Sequence, residues 1–454
     1  MPKKKTALTI EERLQQALVP AEEQPYEVPE NWVWVRLGSL YEVNPKNKAD
    51  DELDAAFIPM EKISAGMLSE YSYETQEWCK AKKGHTQFAD GDVAFAKISP
   101  CFENRKSMML NNLPNSIGGG TTELIILRNA SINQKYTFWT VSDERFIRGG
   151  VQTYSGTVGQ QRINMDYVRS YPIPLPPLSE QQRIVERIEE LFAKLDEAKE
   201  RLQEVADSFA VRKAAILHKA FTGGLTKQWR RENGVSDESW EESNFGKFTV
   251  SQYGYTEKAH WEKVGPKFLR ITDIQDNKVD WDEVPWCPID EAGMKQYAVE
   301  IGDIMIARTG ATTGKSYLIC DNVEAVFASF LIRLKVVDKN LAYNYLYGYM
   351  QSEDYWRQIT DFSSGIAQPG VNASKLKQIK FKCPTLPEQH EIVRLIDDLL
   401  ARERAAQQAA EQALASIDLM KKSILARAFR GELGTNKASE ASALELLQQV
   451  LAEN

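Results

Sequence analysis

The chain repeats itself once at a spacing of 208 residues, and each copy contains a long helix with a heptad pattern. Residues 178–185 (LSEQQRIV) match residues 386–393 (LPEQHEIV), and residues 216–223 (ILHKAFTG) match residues 424–431 (ILARAFRG). A repeat of this length predicts a pseudo-symmetric molecule. Such a molecule suits a partner or a target that itself has two parts.

The two repeated helices carry apolar residues at alternating steps of four and three, which is the spacing of a coiled coil. The apolar seam positions are Ile184, Ile188, Leu191, Leu195, Ala198, Leu202, Val205, Phe209 and Ile216 in the first helix and Ile392, Ile396, Leu399, Ala406, Ala410, Ala413, Ile417, Met420 and Ile424 in the second. We expect the two helices to pair in antiparallel fashion, because a two-fold axis perpendicular to them requires it. The alternative is that each helix packs on its own domain or dimerises between chains.

Each seam has one charged interruption, Arg212 in the first helix and Glu403 in the second. These residues could fix the pairing register or simply reach solvent.

Prolines and glycines divide the chain into seven segments. The predicted fold class is α/β (α+β), with two pseudo-symmetric globular domains joined by an antiparallel pair of long helices. A helix rich in aromatic residues is expected over 131–148 in the first domain. The segments are an N-terminal helical segment (1–31), a first globular domain (32–173), a first spacer helix (174–225), a linker (226–244), a second globular domain (245–383), a second spacer helix (384–433) and a C-terminal tail helix (434–454).

Charge is distributed unevenly over these segments. Residues 32–171 contain 16 Lys/Arg and 16 Asp/Glu, and residues 245–382 contain 17 of each, so the net charge of -8 lies in the helical segments and termini. Neutral globular domains can still present a basic face to DNA. Inside them the repeat spacing shifts to 211 (Asp92 and Asp303) and the side chains differ strongly, which predicts one scaffold with two different surfaces.

Signals for catalysis, metals and membranes are weak. Residues 310–316 (GATTGKS) resemble a phosphate-binding loop, but the first glycine would have to stand at Thr309. The five scattered cysteines form no C-x-x-C pair, and the four histidines form no ligand pair. We therefore expect no metal, no catalytic residue, a reducing cytoplasmic location and no membrane span. A nuclease that uses acidic runs such as 273–276 or 280–283 is an alternative.

Polar loops after strands are the candidate DNA contacts. Arg and Lys suit guanine edges, Gln and Asn suit adenine, and Ser and Thr suit phosphates. The candidates are Lys97, Asn104, Arg105, Lys106, Gln160, Gln161 and Arg162 in the first domain and Arg308, Thr309, Lys315, Ser316 and Gln368 in the second. The alternative for each residue is an ordinary solvated turn.

At the repeated helices the chain resembles the specificity subunit of a Type I restriction–modification system, a phage-defence complex. The residues that carry the resemblance are 25–32 (PYEVPENW), 174–185 (PLPPLSEQQRIV), 384–393 (PTLPEQHEIV) and 423–433 (SILARAFRGEL). The likeness spans nearly the whole chain, and it is looser in the globular domains.

The resemblance implies that 32–173 and 245–383 are target-recognition domains, each of which reads one half of a bipartite DNA target. It also implies that the helices separate them and dock two modification subunits, which methylate adenine with S-adenosylmethionine. Restriction subunits that use ATP and Mg would join the same assembly, and this chain would bind no cofactor and catalyse nothing. The alternative function is a two-headed protein-binding adaptor.

Overall fold

The computed structural model describes residues 9–157, 159–275, 277–363 and 370–453. The chain divides into two compact units. Unit 1 comprises Met1–Arg201 with Ala413–Asn454, and unit 2 comprises Leu202–Gln412. Both boundaries fall inside the long repeated helices, so each unit contains part of each helix.

Unit 1 begins with a short helix and then alternates small strands with helices. Its helices are α1 (Ile10–Ala17), α2 (Leu37–Leu40), α3 (Trp78–Ala81), α4 (Gln134–Ser142), α5 (Glu144–Val151), α6 (Met165–Ser170) and the greater part of α7 (Leu178–Asp207). Its strands are β1 (Val33–Arg36), β2 (Glu42–Val43), β3 (Asp54–Ile58), β4 (Glu74–Glu77), β5 (Thr86–Ala89), β6 (Val93–Ala96), β7 (Ser107–Met109), β8 (Ile117–Gly120), β9 (Leu124–Arg128) and β10 (Pro172–Leu175).

These strands form two four-stranded sheets and one ribbon. The sheets have the orders β2-β9-β6-β7 and β4-β3-β8-β5, and β1 pairs with β10. Within the second sheet β3 and β8 are parallel. All four residues of β6 are buried, as are the first four of β9, because this apolar pair lies in the middle of its sheet. The loop that follows β6 therefore begins at the end of a buried strand.

Unit 2 repeats most of this order, but its described residues contain no counterpart of β5. Its helices are the end of α7, then α8 (Phe209–Phe221), α9 (Lys227–Asn233), α10 (Phe245–Phe248), α11 (Glu291–Tyr297), α12 (Tyr343–Tyr349), α13 (Glu353–Ser363), α14 (Ala373–Lys377) and the first part of α15 (Leu386–Ala428). Its strands are β11 (Glu241–Asn244), β12 (Thr249–Tyr253), β13 (Lys267–Leu269), β14 (Ile274–Gln275), β15 (Lys278–Val279), β16 (Ile304–Ala307), β17 (Ser316–Leu318), β18 (Ala325–Phe327), β19 (Leu331–Val336) and β20 (Lys380–Cys383).

The two units share the topology of one four-stranded sheet, the ribbon and one parallel pair, which confirms the repeat, whereas the second sheet of unit 1 has only a two-stranded counterpart among the described residues of unit 2. In unit 2 the order β12-β19-β16-β17 repeats β2-β9-β6-β7, β11 pairs with β20, and β13 is parallel to β18. A buried aspartate pairs with an arginine in both units: Asp92 with Arg128 at 2.7 Å, and Asp303 with Arg333 at 3.4 Å. Burial raises the pKa of both aspartates, and the arginines oppose that shift.

In unit 1 the long helices run antiparallel. Asp196 of α7 binds Lys421 of α15 at 2.5 Å, and Arg183, 13 residues earlier on α7, binds Glu440, which lies beyond the end of α15. Ile184 and Ile188 are fully buried in the same core as Phe429. The start of α7 therefore packs both on its own globular domain and on the second helix.

Unit 2 shows the same antiparallel pairing, which confirms the predicted direction. Arg212 of α8 binds Glu403 of α15 at 2.5 Å, and Thr226, further along the chain, binds Glu388, nearer the start of α15. The two charged interruptions of the seams therefore meet each other. Their pairing supports the view that they fix the register.

Two helices that the sequence predicts as continuous are interrupted. The first spacer helix is broken at Ser208, whose hydroxyl donates to the carbonyl oxygen of Glu204 at 2.6 Å, a bond that commonly bends helices. The predicted helix 131–148 is divided into α4 and α5 at Asp143. The carboxylate of Asp143 caps the new helix by accepting from the Arg145 amide at 3.2 Å.

The described N-terminal and C-terminal segments meet in unit 1. The last helix, α16 (Ala443–Glu453), lies within the segment 434–454 that the sequence predicts as a tail helix. The Ala443 amide donates to the carbonyl oxygen of Asn31 at 2.9 Å, and Arg13 of α1 donates to the carbonyl oxygen of Leu451 at 3.1 Å. The tail thus packs against the N-terminal segment.

Among the described residues, no helix combines the length and apolar character that a membrane crossing requires.

Candidate nucleic-acid interface

In unit 1 the two candidate loops are joined to each other. One loop (97–106) follows β6, and the other (155–163) precedes α6. The Ser99 amide donates to the carbonyl oxygen of Gln161 at 2.8 Å, and the Ile163 amide donates to the carbonyl oxygen of Lys97 at 3.0 Å. The two loops are far apart in the sequence. The fold brings them together at the end of the buried strand β6.

Four candidates of unit 1 are accessible at this junction. Asn104 and Gln160 are exposed, whereas Lys97 and Gln161 are half-buried. Together they offer a cation and three amides, the groups that read guanine and adenine edges.

Arg105 and Lys106 point into the protein instead. The Arg105 guanidinium, 12% exposed, binds Glu144 and donates to the carbonyl oxygen of Ser142 at 3.1 Å. Although burial opposes the shift, Arg105 and Lys422 lower the pKa of Glu144. Lys106 donates to the carbonyl oxygen of Met60 at 2.9 Å. Both cations stabilise the domain in this conformation.

Arg162 is held by an ion pair across the loop junction. Its guanidinium makes two hydrogen bonds with Glu123, at 2.9 and 2.7 Å. This bonding lowers the pKa of the Glu123 carboxyl and raises that of Arg162. A phosphate would have to compete with Glu123 for this arginine.

Unit 2 repeats the loop junction with different side chains. Arg308 follows β16 as Lys97 follows β6, and the Val371 amide donates to the carbonyl oxygen of Arg308 at 2.9 Å. Thr309 forms an antiparallel bridge with Gly370. The candidate Gln368 lies outside the described residues.

The remaining candidates of unit 2 surround a short turn. Arg308 and Thr309 are half-buried and Lys315 is exposed. Ser316 is only 2% exposed and accepts a hydrogen bond from the Gln351 carboxamide at 3.0 Å. Its hydroxyl therefore has no access to DNA in this conformation. A strand, β17, begins at Ser316, whereas a phosphate-binding loop leads into a helix, so the resemblance of residues 310–316 to that loop is superficial.

One position in each unit, beside the strand-end cation, was not among the sequence candidates. The Lys97 amide donates to the carbonyl oxygen of Glu123 at 2.8 Å, and the Arg308 amide donates to that of Phe330 at 3.1 Å. Glu123 immediately precedes β9, and Phe330 immediately precedes β19. Phe330 lies in a run (325–332) that is apolar except for Ser329 and gives little sign of an exposed turn.

A repeated buried glutamate fixes each globular domain on its helix. The indole of Trp32 donates to Glu180 at 2.7 Å, and the indole of Trp240 donates to Glu388 at 3.0 Å. Both glutamates are fully buried on the first turn of α7 or α15. Each bond thus joins the residue before β1 or β11 to the start of the long helix in the same unit.

The other partners of these glutamates differ between the units. Glu180 accepts from the Asn436 carboxamide at 2.9 Å. Glu388 accepts from Arg230 and Thr226, both at 2.6 Å. The C-terminal tail in unit 1 and the linker in unit 2 therefore play equivalent structural roles.

The predicted seam residues differ in burial, and their role in binding other subunits stays a prediction. Ile184, Ile188, Ile392, Ile396 and Ile417 are buried; Leu191, Leu195, Leu202, Phe209, Leu399 and Ala413 are half-buried; and Ala406 is exposed. Ala410, one turn beyond Ala406, is buried.

Across the described part of the chain, no group of three or more His, Cys, Asp or Glu side chains is arranged to hold a metal ion.

Comparisons with known proteins agree on one family. The family model of the Type I restriction modification DNA specificity domain matches residues 29–207 and again residues 239–413. The Type I restriction enzyme EcoAI specificity subunit of Escherichia coli is 28% identical over 84% of this chain and 80% of its own length. The EcoDI specificity subunit of Escherichia coli is 25% identical over 94% of this chain and 96% of its own length.

Solved structures share the fold. The HsdS subunit from Thermoanaerobacter tengcongensis superimposes with a TM-score of 0.70 at 20% identity, over 90% of this chain and 99% of that one. A chain from a structure of Type I restriction–modification complex assembly gives a TM-score of 0.63 at 20% identity, over 90% and 100%. The chain therefore belongs to the Type I restriction–modification specificity subunits and carries the family's DNA specificity domain twice.

Proposed function

We propose that each unit reads one half of a bipartite target in double-stranded DNA through its pair of joined loops. The observation that carries the proposal is the repeated loop junction. In both units a cation at the end of a buried strand, Lys97 or Arg308, lies where the two loops are bonded to each other. The scaffold is the same and the side chains differ, as two different half-sites require.

We propose further that α7, α8 and α15 dock two modification subunits, which bring S-adenosylmethionine and methylate adenine. Exposed acidic residues on α7, such as Glu186, Glu197 and Glu200, suit contact with protein better than contact with phosphate. Restriction subunits with ATP and Mg join the same assembly in the cytoplasm. This chain binds no cofactor and has no catalytic residue.

The neutral charge of the globular domains leads to a quantitative expectation. Affinity for DNA depends on how many phosphates are neutralised, and the salt slope rises by about 0.9 for each of them. The chain alone should therefore bind DNA weakly and with a shallow salt slope. The complex with modification subunits should bind more tightly and with a steeper slope, measured by titration at several salt concentrations. Equal affinities and salt slopes for the chain alone and for the complex would contradict the expectation that the modification subunits add phosphate contacts.

Methylation mapping tests the proposal directly. The chain is co-expressed with its modification subunits in a host without adenine methylation, and N6-methyladenine is mapped across the genome. We expect one bipartite motif with a constant gap, and no methylation when the chain is omitted. A continuous motif, or no methylation by the intact complex, would refute the proposal.

Variants of unit 1 sharpen this test. Gln160→Ala removes an exposed amide at the loop junction and should relax one half of the motif, with a cost of about 1–3 kcal/mol in base discrimination. Gln448→Ala, an equally simple change on the exposed face of α16, is the matched control and should leave the motif unchanged. Relaxation of both halves by Gln160→Ala would argue against separate readers.

A further inference from the structure

Phe330 occupies a turn whose geometry is the same in both units. In unit 2 the Leu331 amide donates to the carbonyl oxygen of Ala328 at 2.9 Å. In unit 1 the Leu124 amide donates to the carbonyl oxygen of Thr121 at 3.3 Å. The turns therefore place Phe330 and Glu123 at corresponding positions, beside the strand-end cations Arg308 and Lys97.

Two neighbouring residues at this position differ together between the two units. In unit 1 Glu123 is bound by Arg162, which forms a bridge with Ile98. In unit 2 the residue that forms the corresponding bridge is Gly370, which has no side chain to place against Phe330. The ion pair of unit 1 is thus replaced by a glycine and an aromatic ring.

The Phe330 side chain is 60% exposed at this junction. An exposed phenylalanine forgoes the free energy that burial of its ring would supply. The exposed ring is available for an apolar contact in a complex, where its burial would contribute to binding.

The Arg308 side chain is held close to this turn. Its guanidinium lies over the Tyr253 ring, with 5.0 Å to the centroid, and its Nη1 lies 3.4 Å from the carbonyl oxygen of Ser329. Because the Arg308 amide donates to the carbonyl oxygen of Phe330 at 3.1 Å, the junction offers an apolar group and a positioned cation on neighbouring residues. In the major groove, arginine binds the O6 and N7 atoms of guanine, and phenylalanine contacts the methyl group of thymine.

We infer that Phe330 is a specificity-determining residue that contacts the 5-methyl group of a thymine next to the base read by Arg308. The inference rests on the proposed function, because it assumes that unit 2 reads DNA through this junction. A wedge inserted between base pairs would use the minor groove, whereas the adjacent arginine fits guanine in the major groove.

The test exchanges thymine for uracil, which lacks only the methyl group. Once the motif is mapped, duplexes with uracil at single positions of the half-site read by unit 2 are titrated with the complete modification complex. Loss of one buried methyl group should weaken binding about fourfold at a single position. In Phe330→Ala, thymine and uracil should bind equally at that position, and in Phe330→Leu part of the preference should remain.

Val337→Ala is the matched control. Val337 is also 60% exposed and follows the far end of β19, whereas Phe330 precedes its near end. This variant should keep the full preference for thymine.

Three results would overturn the inference: equal binding of thymine and uracil by the unmodified complex, a preference that survives in Phe330→Ala, or a half-site without thymine. Bending of the duplex that depends on Phe330, without a thymine preference, would indicate a wedge instead. Failure of the complex to recognise any bipartite target would refute the proposed function itself.

Discussion

The buried arginine of unit 2 allows a direct test of how a globular domain is held on its helix. Arg230 is 7% exposed on its side chain and donates to Glu388 at 2.6 Å and to the carbonyl oxygen of Gly223 at 2.9 Å. Arg230→Met keeps much of the aliphatic volume but leaves the buried Glu388 carboxylate without a countercharge. Removing one member of a buried ion pair costs about 3–5 kcal/mol.

The remaining hydrogen-bond donors to Glu388 indicate where the loss of stability should fall within that range. Thr226 and Trp240 still donate to its carboxylate, at 2.6 and 3.0 Å. We therefore expect a loss near the lower end, about 3 kcal/mol. For a unit of this size the Tm should fall by about 6–12 °C. Calorimetry measures the loss, and hydrogen exchange assigns it to unit 2.

Two further variants separate charge from packing. Arg231→Met changes the neighbouring, exposed arginine and should alter stability by less than about 0.5 kcal/mol. Adding Glu388→Gln to Arg230→Met removes the stranded charge and should restore part of the loss. A stability of Arg230→Met within about 0.5 kcal/mol of the unmodified chain would refute the assigned role of the ion pair.

Other regions give equally definite expectations. Deleting residues 437–454 should destabilise unit 1 because α16 packs against the N-terminal segment, and unchanged thermal unfolding would contradict that packing. Lys315→Ala should reduce the salt slope of DNA binding by about 0.9 if the exposed ammonium binds a phosphate, and an unchanged slope would exclude that contact. Since Arg162 lowers the pKa of Glu123, the pair stabilises unit 1 above the ordinary pKa of 4.5, and this contribution disappears as the pH falls through the lower value in the folded protein. Arg162→Gln should return the Glu123 pKa towards 4.5 in an NMR titration, and an unmoved pKa would show that the pair is not its cause.

Periodicity predicted the helices well because it is a local property of the sequence. Five of the seam isoleucines (184, 188, 392, 396 and 417) are buried, as their spacing requires, and the two nearest the helix ends, Ile216 and Ile424, are half-buried. The pattern was ambiguous where alanines follow one another: Ala406 is exposed and Ala410 is buried. Small side chains of one type do not define which face packs.

The meeting of Arg212 with Glu403 depends on the pairing register, which no single helix specifies. The sequence offered both a register-fixing and a solvent-exposed role for these residues. The contact at 2.5 Å in unit 2 distinguishes them.

Sequence spacing located the strand-end loops but not the directions of their side chains. Arg105, Lys106 and Ser316 turn inward because their partners come from distant parts of the chain: Glu144, the Met60 carbonyl oxygen and Gln351. Such contacts depend on the assembled fold.

The exchange of one globular segment tests the central claim, that two independent readers share one scaffold. Residues 32–171 are replaced by the corresponding segment of another specificity subunit, and N6-methyladenine is mapped for the reconstituted complex. We expect one half of the bipartite motif to change while the other half and the gap stay the same. A change in both halves would contradict it.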